Sequence, residues 1–152
     1  MSIIAKIHAL LSKVGGVLQS PVLLVIRLYW GWQFFLTGKG KLTHLDKTTH
    51  FFASLNIPAP HLNAILASST ECVGGLLLLV GLFSRFVSLA LACIMCVALW
   101  TADHEAVTQI FSDPDKFTGT DPFLFLYAAV LVFAFGPGKV AVDALVFRDK
   151  SA

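Results

Sequence analysis

The stretch Leu18–Thr37, LQSPVLLVIRLYWGWQFFLT, carries a single charge, Arg27, inside an otherwise apolar run. A bilayer core of about 30 Å is crossed by about 20 helical residues, so this run is long enough to span a membrane. Working outward, three further apolar runs follow, Leu62 to Phe83, Phe86 to Ala102 and Pro122 to Phe135, and the second of the four holds Glu71. A charge in hydrocarbon costs about 2.5 kcal/mol or more on insertion scales unless it is partnered, so Arg27 and Glu71 are retained for a reason. The last run reaches only about 20 Å at 1.5 Å per residue. It therefore borrows flanking turns, sits in thinned bilayer or lies partly inside a bundle.

Composition agrees with this picture. The 152 residues are 57% hydrophobic and 13% charged, with mean hydropathy +0.80, which leaves little polar surface to face water. The expected fold is all-α: one domain over residues 1–152, an integral membrane four-helix bundle with short interfacial helices at the N-terminus and C-terminus. A net charge of +2 without a Lys/Arg cluster excludes DNA and RNA binding. Lys6 and Lys13 bracket only a short apolar run, so a cleaved signal peptide is not expected. Cys72, Cys93 and Cys96 all fall in the predicted spans, which argues against an extracellular disulfide framework.

The connections add detail. Residues 1–16 place Ile3, Ile7, Leu10, Leu11 and Val14 at helical spacing, predicting a short surface helix that Gly15-Gly16 ends, with Pro21 in the first turn of span one. The segment from Lys39 to His61 holds Phe51, Phe52, Leu55 and Ile57 and is expected to hug the membrane surface. Spans two and three, separated by Ser84-Arg85, form a tight hairpin. The acidic segment Asp103 to Asp121 reads as a solvent loop, with Asp121-Pro122 capping span four. Val140 to Phe147, with Arg148 and Lys150, reads as another surface segment. Lys6, Lys13, Arg85, Lys139, Arg148 and Lys150 on one side outnumber Lys39, Lys41, Lys47 and Lys116 on the other, which places both termini in the cytoplasm.

Counting depth from the span ends sets Arg27, Glu71, Cys93, Cys96 and Tyr127 in one layer. An Arg27–Glu71 pair is the expected centre of an intramembrane polar pocket, either poised for chemistry or merely fixing helix packing. Glycines flank it: Gly31 one turn after Arg27, and Gly74 and Gly75 one turn after Glu71. Trp30, Phe34 and Tyr127 are candidate contacts for a flat ring, although aromatic belts are common at membrane interfaces. Cys93 and Cys96, at i and i+3, share a helical face. They read either as a redox pair or as small packing residues whose apolar surroundings leave them inert. Asp103 and His104 could relay protons at the outer end of span three, or simply be solvated. The five histidines all lie at or beyond the span ends, so no metal site or haem is expected.

Several segments together resemble the DoxX family of small bacterial four-helix membrane proteins. They are Arg27 through Gly31, Phe34, Gly38 to Lys41-Leu42, the loop Ile57-Pro58-Ala59-Pro60, Glu71 through Gly74-Gly75 to Gly81 and Arg85, and Gly136-Pro137-Gly138 with Asp143. The order and spacing of these short motifs cover nearly the whole chain. The resemblance implies a membrane subunit of an oxidoreductase, of the kind associated with quinone-linked thiosulfate oxidation or with thiol redox balance. The family pattern includes Arg27, Glu71 and Asp143 and does not require Cys93 or Cys96, so a thiol mechanism would be particular to this chain.

The function expected is thus a subunit of a quinone-linked or thiol/sulfur redox system in the bacterial inner membrane. A quinone is the cofactor that this allows, and a membrane or soluble redox partner supplies the electrons. A non-catalytic anchor whose acidic outer segment docks a soluble protein is the alternative. A small-solute or proton pathway is a third, and would call for a homo-oligomer because four spans enclose little.

Overall fold

The computed structural model describes residues 3–146, and all of the regular structure there is helical. Eight helices follow one another: α1 (Ile3–Thr43), α2 (Leu45–Ser54), α3 (Pro60–Val80), α4 (Ser84–Thr101), α5 (His104–Thr108), α6 (Pro114–Thr118), α7 (Asp121–Phe135) and α8 (Val142–Val146). α1 lies against α3, α3 against α4, α4 against α7, and α7 against α1. Three helices, α1, α3 and α4, are long and apolar enough to cross a membrane, and α7 is a shorter apolar helix. Their outward faces carry Val25, Leu28 and Trp32 on α1, Val73 on α3, Phe86 and Val97 on α4 and Val130 on α7, all exposed. Apolar surface on this scale is what lipid covers. This is the pattern of a multi-pass membrane protein.

The first correction concerns the N-terminus. No separate interfacial helix forms; α1 is continuous for 41 residues, through Gly15-Gly16 and with Pro21 inside it. At 1.5 Å per residue it is about 60 Å long. Two mid-helix glycines cost about 1 kcal/mol each and a proline about 3, so local propensity would break the helix here, and α1 nevertheless runs through. Pro21 forgoes only its own bond to the Val17 carbonyl. At the other terminus α8 is a single short turn, and Phe147, Arg148 and Lys150 of the expected surface segment lie outside the described residues.

α1 and α3 are antiparallel and pack through glycines. A Cβ on Gly38 would overlap the Cys72 backbone nitrogen and lie 2.7 Å from the Ser68 carbonyl oxygen, and one on Gly75 would overlap the Phe35 nitrogen. A Cβ on Gly31 would sit 3.0 Å from the Gly75 carbonyl oxygen and the Leu79 nitrogen. Backbones approach this closely only where no side chain intervenes. Because the atoms in the way are backbone and not flexible side-chain tips, Gly38→Ala should force the helices apart. A loss of about 1–3 kcal/mol is expected, read as a lower thermal midpoint in detergent, whereas Gly40→Ala, which meets nothing within 4 Å, should leave that midpoint unchanged or raise it.

The remaining core is a cluster of Phe34, Leu78, Leu91, Met95, Ala129 and Val132 contributed by the four long helices. The expected α3–α4 hairpin is present. α3 stops at Gly81, which takes the left-handed conformation (φ 74°) and donates to the Leu77 and Leu78 carbonyls, as a Schellman-type end does. α4 then starts without a side-chain cap of its own, and the cap comes from far along the chain: Asp143 accepts from the backbone N–H of Phe83 at 2.7 Å and of Ser84 at 2.8 Å.

At the opposite end the structure is more ordered than expected. The 39–61 segment contains α2, packed on α3, and the acidic segment contains α5 and α6 in place of a plain loop. Asp113 caps α6 by accepting from Lys116 N, and the Lys116 ammonium meets Glu105 at 2.7 Å. That hydrogen bond and its charge hold the exposed Glu105 carboxyl below its usual range. Pro122 does sit in the first turn of α7, with Thr120 in the cap position where Asp121 was expected.

Candidate functional site

Packing four helices with glycine contacts on one side leaves space where the side chains are larger. A cavity of about 990 Å³ opens between the α2 end of α1, α3, α4 and the start of α7. Its walls are largely apolar: Phe34 from α1, Phe51 and Phe52 from α2, Leu66 from α3, Ile94 and Met95 from α4, and Phe125 from α7. Phe34 and Phe125 meet edge to face, with ring centroids 4.6 Å apart. Into this wall is set one ion pair. The Lys41 ammonium donates to both oxygens of Glu71, at 2.7 and 2.8 Å.

The two partners differ in exposure. Glu71 is 1% exposed and Lys41 33%, so the carboxylate is held inside while the lysine, near the end of α1, reaches back from the rim. This is the behaviour of a long amphipathic side chain whose stem lies along apolar surface. An ammonium has three N–H donors and two are used here, leaving one for a further acceptor. The site thus offers a buried carboxylate, one unused donor and aromatic faces.

Arg27 is elsewhere. Its Nε donates to the Leu78 carbonyl at 3.1 Å, its Nη2 to Leu79 at 3.2 Å and its Nη1 to Val140 at 3.0 Å and to Pro137. It is 1% exposed and makes no pair with Glu71, which corrects the expected Arg27–Glu71 pocket. The helix register is the reason. Arg27 lies beside Gly81 and Glu71 beside the Gly38–Lys41 turn, and ten residues of α3 separate those levels, about 15 Å. Arg27 instead gives the Leu79 carbonyl its donor, adds a second to that of Leu78, which already accepts from Gly81, and ties the end of α3 to the Gly136-Pro137-Gly138 turn after α7. Asp143 adds electrostatic attraction from beyond salt-bridge distance.

A family model described as DoxX matches residues 22–104, more than half of the chain. The chain belongs to the DoxX family. Among curated proteins, a Bacillus subtilis protein named "Putative oxidoreductase CatD" is 28% identical over 84% of this chain and 88% of its own length. A Haemophilus influenzae protein named "Uncharacterized protein" is 22% identical over 88% of this chain and 89% of its own. No solved structure matches.

Within this DoxX protein the other expected site residues divide. Phe34, Glu71, Cys93 and Asp103 line the cavity. Trp30 supports it from behind, edge to face with Phe125 at 5.0 Å. Tyr127 is exposed and stacks on Phe123, away from the cavity lining. Cys93 and Cys96 are both free thiols and form no disulfide; Cys96 lies outside the cavity lining and Cys72 is half-buried in the α1–α3 contact. His104 is exposed with its ring against Trp100, so only the Asp103 half of the expected relay reaches the site. Among the described residues no group of His, Cys, Asp and Glu could hold a metal ion.

Sequence reasoning missed Lys41 and the aromatic wall of α2. Lys41 had been counted with a loop, and only the continuation of α1 to Thr43 brings its side chain back over Glu71. The signal available was the glycine pattern: matching Gly31 and Gly38 against Gly75 and Ser68 fixes the register and sets Glu71 opposite the Lys39–Lys41 turn.

Proposed function

We propose that this DoxX protein is the membrane subunit of a quinone-linked oxidoreductase in the bacterial inner membrane, a four-helix bundle with both termini cytoplasmic. The observation that carries this reading is the apolar, aromatic-walled cavity of about 990 Å³ with the Lys41–Glu71 pair set in its wall. The residues fit a quinone headgroup. Phe34, Phe52 and Phe125 give flat apolar contacts, and Lys41 gives a donor for a carbonyl oxygen. The relative named as an oxidoreductase adds support.

When bound, a quinone supplies an acceptor for two electrons and two protons, and a partner redox protein delivers the electrons. The protein's own part is electrostatic and protonic. The Lys41 ammonium stabilises negative charge as it develops on the ring oxygen, in surroundings that screen it poorly. Glu71, ionised against Lys41, would relay to that oxygen a proton taken from the Lys41 ammonium, and the half-exposed Lys41 at the rim would then regain a proton from water. Lys41 thus takes the place beside Glu71 expected from the sequence for Arg27.

Glu71→Gln keeps the shape of the side chain and removes the transferable proton. In native membranes containing the assembled complex, quinone-linked turnover should fall by about 10²-fold or more, and full turnover in that variant would reject the proton role. Cys93 reports on the cavity directly. A soluble quinone analogue should slow alkylation of Cys93 and leave that of Cys96 unchanged; equal rates at both thiols with and without the analogue would show that the cavity does not take the ring.

A further inference from the structure

A second pocket lies at the opposite end of the helices and has different chemistry. It encloses about 670 Å³ between the Gly16–Leu23 part of α1, the start of α4 and the turn after α7. Phe83, Phe86 and Phe135, all exposed, form its apolar rim. Two cations line it, Arg85 and Lys139, and among the described residues their side chains make no ion pair or hydrogen bond. The guanidinium lies over Gly136, 3.5 Å from where a Cβ would stand there.

The other polar groups complete a consistent set. Ser84 lines the pocket, is fully buried, and its hydroxyl has no hydrogen-bond partner among the described residues. The one carboxylate, Asp143, is already engaged by the backbone N–H of Phe83 and Ser84. Ser20 accepts from the Lys139 N–H at 2.7 Å, which holds the turn, and with it the lysine, against α1. Two exposed cations free to take an anion and one buried hydroxyl thus stand beside apolar rings. A buried polar group without a partner carries a standing cost that a ligand can relieve.

We infer that this pocket holds the headgroup of an anionic phospholipid, with the phosphate between Arg85 and Lys139 and an acyl chain along Phe86 and Phe135. The pairing of two cations with an adjoining lipid-facing apolar rim favours a lipid over a free ion. Basic pockets at helix ends beside a bilayer surface suit such headgroups. The inference is independent of the quinone cavity, which lies at the other end of α1.

The full-length protein, purified in mild detergent, would be given equal amounts of phosphatidylglycerol and phosphatidylcholine, and bound lipid counted by native mass spectrometry. One phosphatidylglycerol should be retained with a preference of about tenfold or more, and excess inorganic phosphate should not displace it. The double variant Arg85→Gln/Lys139→Gln should bring the two lipids to parity, while Arg85→Lys/Lys139→Arg should keep the preference. Should the double variant not fold, Lys139→Gln alone, whose ammonium makes no hydrogen bond or ion pair among the described residues, should reduce the preference at least about threefold. Parity in the native protein, or an undiminished preference in a folded Gln variant, would overturn the inference. Displacement by inorganic phosphate would also overturn it, by showing a site for the free ion.

Discussion

Replacing Lys41 with Met should lower stability by about 3–5 kcal/mol, because it leaves the Glu71 carboxylate buried, charged and unpaired. The pair costs desolvation on both sides, and Lys41 offsets only the part that its two hydrogen bonds return. Removing both charges should therefore restore much of the loss. Lys41→Met combined with Glu71→Gln is expected to fold more stably than Lys41→Met alone, and a thermal denaturation series in one detergent gives all three midpoints. A Lys41→Met protein as stable as the native one would mean that the pair does not form in the membrane.

Arg27→Ala should be comparably damaging, at about 3 kcal/mol or more. It strands the carbonyls of Leu79, Pro137 and Val140, and leaves that of Leu78 with only Gly81, at a point where three chain segments meet. Lysine cannot rescue it, since a single ammonium lacks the planar fork that reaches carbonyls on both sides. The decisive variant is the exchange Arg27→Glu with Glu71→Arg. Were the two residues partners, the exchange would preserve the attraction. With Arg27 on backbone oxygens, the exchanged glutamate faces acceptors only, and folding should fail. A stable exchanged protein would contradict the register found here. Measuring the double exchange beside each single change separates coupling from simple additivity.

Together these two residues show how ionisable groups in an apolar medium do different work. Arg27 is consumed by structure: every donor direction observed ends on the backbone, and Asp143 completes the same junction by capping α4. Glu71 and Lys41 are a compact pair with one donor in reserve, facing a cavity large enough for a ring. The proposed chemistry follows that difference in residual bonding capacity and not the presence of charge alone.

The sequence by itself determined the helical class, the three long apolar helices and the shorter fourth, the α3–α4 hairpin, and the need of Glu71 for a partner. These follow from local properties: run length against bilayer thickness, Gly81 as a helix stop, and the cost of a charge in hydrocarbon. Family membership was also legible in the order of short motifs. The tertiary structure decided who pairs with whom. A helix with Arg27 and a helix with Glu71 can slide along one another without changing any local signal. Only the close contacts of Gly31, Gly38 and Gly75 fix the slide, and these set Arg27 beside Gly81 and Lys41 beside Glu71. The course of the backbone through Gly15-Gly16 and Pro21 was likewise beyond local propensity, which counts each of these residues as a helix breaker although α1 runs through them.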